Sequence, residues 1–279
     1  MSVSGAPGAR MTPETGPRWR RPSLPAFLLL ALALALAAHG FTDGAAVSPV
    51  SLGNGLSRTL EFVADAFPPD LGRLGSVAEA MLVTLEMALI GTSLGVVASV
   101  PLSILGARNT TPHPIVQGAT RAAIAFLRSV PDLVWGIIFV VTVGLGPEAG
   151  VLAIAADTAG FCGRFFADRI EDVEPEVIEG LTATGATRGG VLAGGVLPSV
   201  MPSFVGTSMF ALESATRSSV VLGVVGAGGI GVELTTSMQL LRYDEALTII
   251  LAIFVVVLCV ERVAAWIRGK VGASGDVEF

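Results

Sequence analysis

Six ionisable side chains interrupt otherwise apolar stretches of this sequence: Glu86, Asp132, Asp157, Arg164, Glu213 and Arg217. A charge in a hydrocarbon layer is costly, so such residues pair with one another, satisfy freed backbone groups or line a polar path. Each has a structural reading beside the functional one. Arg164 and Asp168 stand four apart and can pair on one helix face, as can Glu213 and Arg217. Asp132 follows Pro131, a residue that frees carbonyls in a helix, so it can serve the backbone or Arg128. Asp157 lies among Ala156, Ala159, Gly160 and Gly163, a small-residue face suited to close helix packing.

A sharper motif misleads. The stretch VVLGVVGAGGIG, residues 220–231, contains Gly226-x-Gly228-x-x-Gly231 after a β-branched run, with Glu245 further on. Alone, it matches a dinucleotide-binding fingerprint, which needs a strand inside a βαβ unit. Glu245 leads directly into ALTIILAIFVVVLCV, a run too long for a buried strand. The stretch reads instead as a glycine-rich turn at membrane depth, a place for irregular backbone only where protein or a cavity surrounds it. Cys162 and Cys259 both sit in apolar runs and read as small buried hydrophobes rather than a disulfide. His39 and His113 have no neighbours at metal-ligand spacing. No Gly-x-x-x-x-Gly-Lys-Ser/Thr is present, so nucleotide-driven work would need another chain to hydrolyse it. No catalytic residue, cofactor, metal or nucleic-acid partner is expected.

The elements that carry these residues are membrane helices. Of 279 residues, 52% are hydrophobic and 14% charged, with a mean hydropathy of +0.74. Soluble domains carry about 25% charge. The expected fold is an all-α integral membrane protein of about six spans, near 24–38, 80–105, 119–145, 150–166, 198–215 and 246–263. The first run follows Arg18, Arg20 and Arg21 and also resembles a cleavable secretory signal. Residues 1–23 read as a disordered cytoplasmic tail, 24–75 as the first helix and an exterior segment with a short amphipathic helix near 56–67, 76–268 as the transmembrane domain and 269–279 as a second tail. With both termini inside, only Arg58, Arg73, Arg217 and Arg242 of the 17 basic residues fall outside, as the positive-inside rule requires.

That orientation sends residues 171–198 into the cytoplasm. The segment includes EGLTATGATRGGVLAGGVLP. Pro175 suits a helix start, Gly185 a left-handed stop, Thr187 a cap for a second helix and Pro198 a restart toward the next span. Glu179-Gly-Leu-x-Ala183-x-Gly185-Ala186 with a distal Pro198 resembles the coupling loop of ABC importer permeases, with Gly180 where the pattern has Ala. RSVPDLVWGIIFVVTVGLGPEAGVLAIAADTAG, TLEMALIGTSLGVVASVPLSILGARN and ESATRSSVVLGVVGAGGIGVEL look like the phosphonate branch of that family, across roughly 76–268; Asp157 is unexpected in its helix. The resemblance implies a multi-pass permease of a prokaryotic plasma membrane with the type I, MetI-like core. It also implies a second permease, identical or not, two cytoplasmic ATPases coupled through Glu179, Ala183, Gly185, Ala186 and Pro198, and an extracytoplasmic binding protein. The implied cargo is a small tetrahedral oxyanion: phosphonate first, phosphite or inorganic phosphate next. Arg217, Ser218 and Ser219, at the outer end of the fifth span, are the expected substrate path, with Glu213 and Asp157 as further candidates. A channel or secondary transporter is the alternative of another class; it would need no coupling loop and would more often show internal repeats, and none is evident.

Overall fold

The computed structural model describes residues 24–39 and 49–273; the expected tail over 1–23 lies outside them, as do residues 40–48 and 274–279. Every described element is helical: α1 Leu24–His39, α2 Pro49–Ala66, α3 Leu74–Gly106, α4 Pro114–Ser129, α5 Asp132–Val143, α6 Pro147–Glu171, α7 Pro175–Ala183, α8 Arg188–Val191, α9 Leu197–Val224, α10 Ile230–Gln239 and α11 Tyr243–Ala273. The chain divides into two units at residues 61 and 62. The first holds α1, an apolar helix of 16 residues, short of the roughly 20 that a crossing takes, and most of α2.

In the second unit, four helices are long and apolar enough to cross a membrane: α3, α6, the continuous stretch Arg188–Val224, and α11. The fifth candidate is broken. Where the sequence predicts one helix over 119–145, α4 and α5 meet at 91°. The cause is Pro131, which has no N–H to donate to the Leu127 carbonyl one turn earlier. The indole Nε1 of Trp135 donates to that carbonyl instead, at 3.3 Å. Asp132 turns to its own helix end, accepting from the Leu133 N–H at 2.8 Å, rather than pairing with Arg128.

A second proline is absorbed differently. The sequence predicts that Pro198 restarts the chain, yet the helix runs unbroken from Arg188, and Leu192–Val196 forms a π-helical segment just before it. Widening the helix there accommodates the ring and the missing donor opposite Gly194. The fifth predicted span therefore begins ten residues earlier than 198, inside the loop itself. At the far end α11 runs through 269–273, residues that the sequence assigns to a tail.

Glycines draw the helices together. A Cβ on Gly95 would lie 2.5 Å from Thr158 Cβ, and one on Gly91 2.7 Å from Ile154 Cβ, so α3 and α6 meet backbone to side chain through a Gly-x-x-x-Gly pair. Gly160 presses likewise on Leu127 and on the Arg128 backbone of α4. Around these contacts lie three apolar clusters, one centred on Phe166 and Phe204, whose rings stack at 3.8 Å. Cys162 is buried in the first, whereas Cys259 is exposed on α11, because only one face of that helix meets the bundle.

Candidate functional site

The 171–198 segment is a short helix, a corner and a helix start. Pro175 opens α7, and no residue of α7 is fully buried. Gly185 has φ +86°, the left-handed value that stops a helix at least cost in glycine. Its N–H donates to the Thr182 carbonyl at 2.9 Å, and the Ala186 N–H donates to Leu181 at 3.3 Å. Thr187 Oγ1 then accepts from the Gly190 N–H at 3.3 Å and caps α8. Leu181 leans on Gly195 of the π segment, and Ile178, Leu181, Ala186 and Leu192 pack against the cluster of Phe166 and Phe204. Glu179, Ala183, Gly185 and Pro198 are exposed and Ala186 is half-buried. A Cβ at Gly180 would meet open space. The result is a corner fastened from within and presenting its polar face outward.

Beside it the end of α6 is locked. Glu171 accepts from Arg121 at 2.7 Å and from the Arg108 N–H at 2.6 Å, while Asn109 donates to the Ile170 carbonyl at 2.6 Å. At the opposite end of α3, Arg73 pairs with Glu245 at 2.9 Å and Glu233 at 3.3 Å, tying α3 to α10 and α11. Neither lock is among the sites expected from the sequence; their partners lie more than 45 residues apart, and no local spacing marks them.

Between these ends lies the glycine-rich turn. Gly226, Gly228 and Gly229 all have positive φ, at 90°, 83° and 72°. The turn is enclosed: the Gly226 carbonyl accepts from Gly146 at 3.1 Å, and Thr84 Oγ1 accepts from Ile230, the first N–H of α10, at 2.8 Å. Ala227, Ile230 and Thr84 are fully buried. Thr84 stands 11 residues, about 16 Å, along α3 from Arg73, so the turn lies deep in the bundle.

The expected path residues do not converge. Arg217 stands seven residues, about 10 Å, from the end of α9, not at its tip, and is held at 3.1 Å by both Glu213 and Glu261. Arg268 lies 3.6 Å from Glu213 and completes a balanced quartet between α9 and α11. Ser219 is buried and donates to the Thr216 carbonyl at 2.9 Å; Ser218 is half-buried. Asp157 belongs to a different group, where its charge is felt with those of Asp132 and Arg128. Arg164 pairs with Asp168 at 2.8 Å, as their spacing predicts, and Glu86 lies on an exposed face of α3.

This geometry has relatives. Residues 99–272 match the family described as binding-protein-dependent transport system inner membrane component. The phosphite transport system permease protein PtxC of Stutzerimonas stutzeri is 41% identical over 77% of this chain and 78% of its own length. The phosphate-import permease protein PhnE of Mycolicibacterium smegmatis is 39% identical over 80% of this chain, which spans only 42% of that protein. An inward-facing structure of the MetNI methionine ABC transporter superposes with a TM-score of 0.63 at 22% identity, over 72% of this chain and 99% of its own, and shows the same fold. The chain thus belongs to the binding-protein-dependent transport system inner membrane components, as an ABC transporter permease.

Proposed function

We propose that the chain is the membrane-spanning subunit of an ATP-driven importer that carries a small phosphorus oxyanion into the cell, with residues 171–198 receiving the stroke of a separate ATPase. The observation that carries the reading is the corner at Gly185: an exposed α7 fastened by Leu181 and Gly195 to the helix that runs on to Val224. Movement imposed on α7 passes directly into a membrane-crossing helix, whereas a slack loop would absorb it. On this reading the corner faces the cytoplasm, and the Arg73 end meets an extracytoplasmic binding protein.

The cargo class is supported by the phosphite and phosphate permeases among the relatives, with phosphonate the first choice and phosphite or inorganic phosphate next. A second permease, identical or related, belongs to the same reading and follows the resemblance to ABC importer permeases. Two ATPases would then dock on two corners. The test is transport in vesicles holding the chain, its ATPase and its binding protein. Gly185→Val forces a β-branched side chain into a left-handed position, and should leave the assembly intact while uncoupling ATP hydrolysis from uptake. Uptake at the wild-type rate with ordinary ATPase stimulation would remove the corner from the coupling path.

A further inference from the structure

A groove between α4 and α6 is lined by three arginines, Arg121, Arg128 and Arg164, over a floor of Ile124, Ala125 and Ala167, and encloses about 200 Å³. Arg121 and Arg128 are two turns apart on one helix, and Arg164 faces them from the other. The spacing is rigid, because Gly160 brings α6 against the backbone of Arg128 and Gly163 packs on Ile124. Two of the three have carboxylate partners, Arg121 with Glu171 and Arg164 with Asp168. Arg121 also donates through Nε to the Gly106 carbonyl at 2.9 Å. Arg128 is different: among the described residues no carboxylate lies within ion-pair reach of it, and its guanidinium rests 5.9 Å from the centre of the Phe165 ring.

We propose that this groove binds a phosphoryl oxyanion, with Arg128 as the principal ligand and the spare N–H groups of Arg121 and Arg164 closing on its other oxygens. A guanidinium has five donors, so pairing with one carboxylate leaves several free, and its planar fork suits the oxygens of a phosphoryl group. The neighbouring carboxylates keep the site from being a strong trap, as a site of passage requires. One chemistry has two sources here. The anion is either the cargo in transit, an assignment that rests on the import reading above, or the headgroup of an anionic phospholipid whose chains lie along the exposed Phe126 and Phe165.

The experiment uses the full chain in nanodiscs, with Arg128→Gln and, as a control outside the groove, Arg169→Gln. One arm measures binding of labelled inorganic phosphate and phosphite in phosphatidylcholine discs. The other counts phosphatidylglycerol retained per chain from mixed discs by native mass spectrometry. Arg128→Gln should weaken one of the two at least about tenfold, the loss expected for one charge-assisted hydrogen bond; Arg169→Gln should change neither. Loss in the first arm names the cargo, and loss in the second names the lipid. Phenylglyoxal modification of Arg128 in the unmutated chain, slowed by the same anion, gives the answer without a variant. If the chain carries no phosphorus oxyanion, the first arm is blank in the wild type and the lipid arm alone decides. Equal behaviour of Arg128→Gln and wild type in both arms, with no protection from phenylglyoxal, overturns the site.

Discussion

Among the glycine breaks between the described helices, the corner at Gly185 and the turn at residues 226–229 need glycine for different reasons. At the exposed corner, Gly185 is required by backbone alone: its φ is +86°, and a Cβ there would meet nothing within 4 Å. In the buried turn, a Cβ on Gly228 would lie 3.1 Å from Pro147, and one on Gly229 2.5 Å from Thr84 Oγ1, so each is required by both backbone and space. The turn joins α9 and α10 to α3 and to the α5–α6 connection, while the corner rests its inner side on the cluster of Phe166 and Phe204 and leaves an outer face free. One is built to hold a bundle together and the other to be pushed.

The comparison is most severely tested at Gly229. Gly229→Val combines left-handed strain with a collision against Thr84 and should remove several kcal/mol of stability; little folded chain should elute in detergent size-exclusion chromatography. Normal yield would mean that the turn is as free as the corner. Thr84→Val keeps the shape but leaves the Ile230 N–H buried without an acceptor, at a cost of about 1–3 kcal/mol. It should lower the thermal midpoint and speed amide exchange at the start of α10. Gly185→Val should cost about 1–2 kcal/mol of local strain with near-normal yield, its damage appearing in coupling. Smallest of all is Gly185→Asn, since Asn tolerates the left-handed region. It should restore most of the uptake that Gly185→Val loses; failure to do so would show that the corner needs more than its φ. Arg217→Ala sharpens the other half of the contrast: as a member of the quartet with Glu213, Glu261 and Arg268 it should perturb α9–α11 packing, and its melting shift should shrink when Glu261→Gln is already present.

Much of the corner was legible because its signals are local. Pro175, Gly185 and Thr187 act within a turn of themselves, through a missing N–H, a permitted φ and a short hydroxyl. The continuous helix through Pro198 was not legible, since a π-helical segment depends on how Gly195 seats against Leu181 of another helix. Gly160 and Gly163 carried a readable small-residue spacing that signals close packing, but not that α4 would fill it. Thr84 gave no signal at all: a threonine in an apolar run reads the same whether it caps a distant helix or not.

By itself, the sequence determined that the chain is a bundle of membrane helices, where the Gly185 corner and the glycine-rich turn fall and which family pattern it carries, because hydropathy, helix stops and turn chemistry act over a few residues. Tertiary structure alone decided which charges meet between helices. Arg217 finds Glu261 44 residues away, Arg73 finds Glu245 172 residues away and Arg128 is left beside an aromatic ring. An ion pair depends on where two helices cross and at what depth, and those are fixed by the packing of all the helices together.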